Sequence, residues 1–163
     1  MARKAFYSFH YNPDNWRASQ VRNMGAIEGN AAVSDNDWET VTKGGDAAIE
    51  KWIAGQLKGR SCTVVLVGKD TAGRKWITHE IKESWNAKMG VLGILIHGLK
   101  DASGNTSTKG GNPFDHLTIG EKKLSSVVRL YAPTGIASSD IYKNIKDNIE
   151  TWCEEAITIR NSN

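Results

Sequence analysis

Two continuous apolar runs limit the fold of this chain more than any other feature. "CTVVLVG" (62 to 68) and "VLGILI" (91 to 96) are apolar at successive positions rather than alternate ones. Strands of that kind are buried on both faces and belong to a parallel sheet. Between them, "AGRKWITHEIKESWNAKMG" (72 to 90) holds one helix of about 15 residues, so the three pieces form a βαβ crossover, right-handed in nearly every known case.

The rest of the chain extends this pattern. "KAFYSF" (4 to 9) reads as a first strand, and Asn12-Pro13-Asp14 as the turn and N-cap of a helix that stops at Met24-Gly25. A second short strand is expected around Ala31 to Ser34. Asp46 then caps a helix whose Ile49, Trp52, Ile53 and Leu57 form one apolar stripe ending at Gly59. "SVVRLY" (126 to 131) reads as a last strand, and Ile141, Ile145, Ile149, Trp152 and Ala156 mark a closing amphipathic helix. The polar, glycine-rich segment at about 100–118 is a long loop or small hairpin insertion. Residues 1–163 are thus expected to form a single flavodoxin-like α/β domain. Its sheet has about five parallel strands in the order 2-1-3-4-5, with helices on both faces.

Several function classes are disfavoured. The 21 basic and 18 acidic residues are interspersed and leave a net charge of +3, so no nucleic-acid partner is expected. No apolar run approaches the roughly 20 residues of a membrane span, and the N-terminus builds no signal-peptide core, which makes a soluble, cytoplasmic protein the expectation. No Gly-x-Gly-x-x-Gly follows the first strand, and "VGKDT" lacks the spacing of a phosphate loop. Cys62 and Cys153 read as free thiols, and His10, His79, His97 and His116 share no ligand spacing, so no metal is expected.

Ligands of such sheets sit outside the carboxyl ends of the strands, at the point where strand order reverses. Here Ser8, Phe9, His10 and Tyr11 end one strand, and Gly68, Lys69, Asp70 and Thr71 end the other. On the intervening helix, steps of 100° from Trp76 put Ile77, Ile81, Trp85 and Lys88 on a buried face centred near Ile81. Trp76 and Glu80 fall at about 0° and 40°, on the rim of that face, and Glu83 at about 340°, farther out. A carboxylate at Glu80, above a cleft lined by Phe9, Tyr11 and Trp76, can hydrogen-bond sugar hydroxyls and stabilise a developing cation. On spacing alone the plainer account is the stronger one: a solvated Glu beside a tryptophan at the core edge.

The motifs shift that balance. "KAFYSFHYN", "VVLVGKDTAGRKWITHEI" and "GGNPFDHL" together resemble the TIR-like domains of bacterial Thoeris antiphage defence, the ThsB proteins, over most of the chain. The resemblance implies a flavodoxin-like fold and cleavage of the nicotinamide–ribose bond of NAD, a substrate rather than a bound cofactor. The family's W-x-x-x-E motif falls on Trp76 to Glu80, which implies Glu80 as the catalytic glutamate. By looser correspondence, Ser8, Phe9, His10, Tyr11, Asp35, Trp38, Lys69, Asp70, Thr71 and Trp76 would line the substrate cleft. His10 is then a polar contact to ribose or phosphate, and Asn112 to Asp115 either a loop lock or a lid. The product implied is a cyclic ADP-ribose isomer that activates a separate effector protein, with self-association through TIR contacts completing the sites. Two other readings stay open: a non-catalytic TIR interaction module, and a nucleoside deoxyribosyltransferase with a nucleophilic Glu.

Overall fold

The computed structural model describes residues 3–29 and 41–163. Strand β1 (Ala5–Phe9) leads into helix α1 (Tyr11–Arg22); helix α2 (Asp46–Leu57) precedes strand β2 (Cys62–Val67); helix α3 (Lys75–Asn86) precedes strand β3 (Gly90–Leu95). A two-stranded antiparallel hairpin, β4 (Thr118–Ile119) and β5 (Lys122–Lys123), precedes the short strand β6 (Leu130–Tyr131) and the closing helix α4 (Ser138–Asn161). The main sheet is parallel throughout, in the order β1-β2-β3-β6. This is the α/β architecture expected of the sequence.

Four strands of that sheet lie among the described residues; the expected strand at Ala31 to Ser34 lies outside them. A parallel bridge joins Lys4 to Glu28, with Ala5 N donating to Glu28 O at 2.7 Å. Because β2 occupies the other side of β1, this bridge sits on the edge that a 2-1-3 order gives to strand two.

Alternation along each strand sorts side chains into layers. Ala5, Tyr7, Cys62, Val64, Leu66, Leu92, Ile94 and Ile96 pack with α1 and α4. Val65, Val67, Val91 and Leu95 meet Ile77, Ile81 and Trp85 of α3, joined by Phe114 and Leu124. Phe6 packs with Ile49, Ile53 and Leu57 of α2, and Trp76 lies against this group. Both strands of the central crossover are buried at every position, as their composition required.

Three local expectations are corrected. The run at 126 to 131 is extended only at Leu130–Tyr131, because Leu124–Ser126 forms a 3-10 turn that Val127 and Val128 close by donating to Leu124 O. Asp14 caps nothing: α1 starts at Tyr11, and Asp14 turns inward with 2% exposure. Lys88 is exposed and off the buried face, since α3 ends at Asn86 and Lys88 takes a left-handed φ of 62°.

Candidate active site

Glu80 is buried, not a rim residue: 8% of it is exposed. The wheel ranked it correctly against the half-buried Glu83, but an angle does not say how closely a neighbouring strand approaches. The pleat of β1 directs Ser8 to the same side as Phe6, toward α3, and the Ser8 hydroxyl is the polar neighbour of the Glu80 carboxyl. Burial pushes the Glu80 carboxyl up to about 8, with Ser8 acting in the opposite direction. Glu80 Oε2 and Ser8 Oγ are nevertheless both buried without a hydrogen-bond partner. Native interiors rarely leave such groups unmet, which marks the pair as the candidate point of contact for a ligand.

The turn that carries Glu80 is fixed to the sheet. Ser84 Oγ lies 2.7 Å from the Glu80 carbonyl and 2.6 Å from Thr63 Oγ1 of β2. One turn earlier, Trp76 is half-buried, with His79 edge-on at 5.5 Å and Lys75 Nζ 4.8 Å from its ring centroid. Lys75 Nζ also donates to Asp46 Oδ2 at 2.5 Å, joining the starts of α2 and α3.

The remaining expected residues divide among three places. Phe9 packs toward the α1 and α4 layer, so the pleat sets it away from Ser8 and Glu80, and Tyr11 at the start of α1 stacks on it with centroids 6.2 Å apart. His10 lies within electrostatic reach of Asp70 and Arg74 at the strand ends, its Nδ1 buried without a partner; burial first, then Arg74, lowers its pKa. Lys69 and Asp70 are exposed. Thr71 is fully buried, and its hydroxyl accepts from Gly68 N at 2.8 Å, closing the turn after β2. Asp35 and Trp38 lie outside the described residues. The structure thus brings Ser8, Trp76 and Glu80 into one group, and His10 and Asp70 into a second beside it.

A buried pair on α1 escaped the reading of the sequence. Arg17 is 5% exposed. Its Nε donates to Leu99 O at 2.8 Å, one terminal nitrogen donates to Asn105 O at 2.9 Å, and the other lies 3.5 Å from Asp14 Oδ1. Asp14 Oδ2 has no partner, and burial raises the Asp14 pKa against the pull of Arg17. The signal was present: Asp14 and Arg17 share a helical face with Ala18 and Val21, both in the core.

The glycine-rich loop that Arg17 holds runs over the end of β2. A Cβ at Gly110 would lie 2.0 Å from Gly68 O, so only glycine permits that approach. At the far end of the loop, Asn112 Oδ1 accepts from Phe114 N at 2.9 Å and Phe114 is fully buried against the α3 layer. "NPFD" is therefore an anchor for the loop. A cavity of about 270 Å³ lined by Lys82, Trp85, His116 and Leu117, among others, holds none of the expected site residues. Among the described residues no cluster of three or more His, Cys, Asp or Glu is placed to hold a metal, Cys62 and Cys153 are buried free thiols, and no helix is long and apolar enough to cross a membrane.

Comparison with known proteins adds a family context. Residues 6–101 match the family described as "Thoeris protein ThsB, TIR-like domain". A protein of Bacillus cereus (strain MSX-D12) named "Putative cyclic ADP-D-ribose synthase ThsB1" is 37% identical over 140 residues, which cover 83% of this chain and 73% of that protein.

Proposed function

The chain belongs to the TIR-like domain family of the Thoeris protein ThsB, and on that premise we propose that it cleaves the nicotinamide–ribose bond of NAD and makes a cyclic ADP-ribose isomer. In this reading the product is a second messenger of antiphage defence in the bacterial cytoplasm, acting on a separate effector, and self-association through TIR contacts completes the site. The observation that carries it is the buried Glu80 carboxyl beside Ser8, one turn from Trp76, with an oxygen left unpartnered.

The chemistry follows from that setting. As the bond from ribose C1′ to the pyridinium nitrogen breaks, its electron pair goes to nicotinamide, which leaves neutral. Positive charge develops on the ribose, as in glycoside cleavage. An ionised Glu80 would accept hydrogen bonds from the ribose hydroxyls and stabilise that charge in a site largely closed to water. Without ligand, burial keeps Glu80 largely protonated near neutral pH. A cationic pyridinium arriving nearby favours the carboxylate, so substrate binding itself promotes the active form. A nucleophile within the ADP-ribose then closes the ring.

Mass spectrometry of the products formed from NAD by the wild type and by Glu80→Gln tests the proposal. Nicotinamide release with a cyclic product, lost in the variant, is the expected result. Equal release by both proteins would remove Glu80 from the mechanism.

A further inference from the structure

Helix α3 opens on two cations, Arg74 at its N-cap and Lys75 at its first position, with no acid in the first turn. Cations there oppose the helix macrodipole, so the helix does not hold Lys75 in place. Two contacts do. Its ammonium donates to Asp46 Oδ2 at 2.5 Å and lies 4.8 Å from the centroid of the Trp76 ring. Tryptophan is the strongest of the aromatic side chains in such a cation–π contact. Both side chains of the ion pair are 66% exposed, a setting in which water and salt readily compete with it.

We propose that the Trp76 ring is a cation-recognition surface that Lys75, tethered by Asp46, occupies until a pyridinium ring displaces it. The inference rests on the reading of NAD as substrate. The pyridinium of NAD carries a full positive charge, which nicotinamide loses when the glycosidic bond breaks. The ring therefore attracts the substrate and not the product, and it favours the oxidised dinucleotide over the reduced one, whose dihydropyridine is neutral. Lys75 sets the threshold: its ammonium lowers the fraction of chains with a free ring, and apparent affinity falls by that fraction. When neutral nicotinamide forms, the ammonium returns to the ring and helps to expel it.

The test needs no turnover. 1-Methylnicotinamide, methylated on the ring nitrogen and so a pyridinium cation without ribose or phosphate, is titrated into the full chain and followed at the Trp76 indole N–H by NMR, the signal being assigned from its loss in Trp76→Phe. Lys75→Gln is expected to tighten binding about threefold to tenfold, Lys75→Met to do the same, and neutral nicotinamide to be unaffected by either change. Unchanged or weakened binding of 1-methylnicotinamide in Lys75→Gln, or no response of Trp76 in any variant, overturns the proposal. Because the titration is independent of NAD cleavage, its failure is distinct from failure of the Glu80 reading.

Discussion

The carboxylate of Asp14 fills the space that a side chain at Gly68 would take: a Cβ at Gly68 would lie 2.2 Å from Asp14 Oδ2. Gly110 presses on Gly68 as well, through the Gly68 carbonyl. Gly68→Ala is therefore expected to destabilise the fold by about 1–3 kcal/mol through overpacking. Chemical denaturation checks this, and Gly68→Ala combined with Asp14→Ala should cost less than the sum of the two single changes, because they share one contact.

Arg17 is the tie between α1 and the loop after β3, with Leu99 O and Asn105 O as its acceptors. Arg17→Met leaves the Asp14 carboxylate buried and uncompensated, and is expected to cost about 3–5 kcal/mol. Hydrogen exchange should quicken most over residues 99–107 if the guanidinium holds the loop. A uniform increase across the sheet would assign Arg17 to global stability alone. Arg17→Lys should restore little, since a point charge does not reproduce the fork that reaches both carbonyls.

Glu80 gives the fold a pH dependence whose sign is opposite to that of an ion-paired acid. Its pKa is raised to about 8 by burial, whereas the unfolded chain ionises near 4.3. Below the unfolded value both states hold the proton and there is no penalty. Between the two values the unfolded state releases it first, so stability falls as pH rises and levels off above the folded value, a loss on the order of 5 kcal/mol. Glu80→Gln should remove this slope, leaving the variant more stable than wild type at pH 9 but not at pH 5, as read from thermal melts.

The same shift predicts the activity profile. If the carboxylate is the working form, kcat/KM for NAD should rise between pH 7 and pH 9 and report the pKa of the free protein. A flat profile over that interval would separate the chemistry from the ionisation of Glu80.

Cys62 and Cys153 are buried in one layer, and the Cys153 thiol is pushed far up by its hydrogen bond with Cys62 and by burial. Neither is poised as a nucleophile. Ellman's reagent should titrate two thiols only after denaturant is added, and rapid reaction of the native chain would contradict this packing.

Much of this was legible in the chain because the signals were local. The runs at 62 to 68 and 91 to 96 required buried parallel strands, and the period of α3 ranked Glu80 inward of Glu83. What was not legible depended on distance between elements. Periodicity places Glu80 on a face but not under Ser8, so its burial and raised pKa were invisible. Asp14 reads as a cap from composition, and only the packing of the loop over Gly68 makes it an interior group. Phe9 and Ser8 sit side by side in sequence, so both were assigned to one cleft, although the pleat sends them to opposite layers. The last strand shortened because Val128 turns into the α3 layer after a 3-10 turn.

Ser8 stands beside Glu80 only because β1 and β2 pair with Ala5 opposite Cys62 and Ser8 opposite Val65. A slip of one residue would put Tyr7 or Phe9 in its place, setting an aromatic ring against the acid and a hydroxyl into the apolar layer on the other side. The ladder between these strands is thus an address for the candidate site, written in backbone hydrogen bonds remote from the Glu80 carboxyl. Length is the vulnerable quantity here: β1 should tolerate conservative exchanges of residues far better than the gain or loss of one.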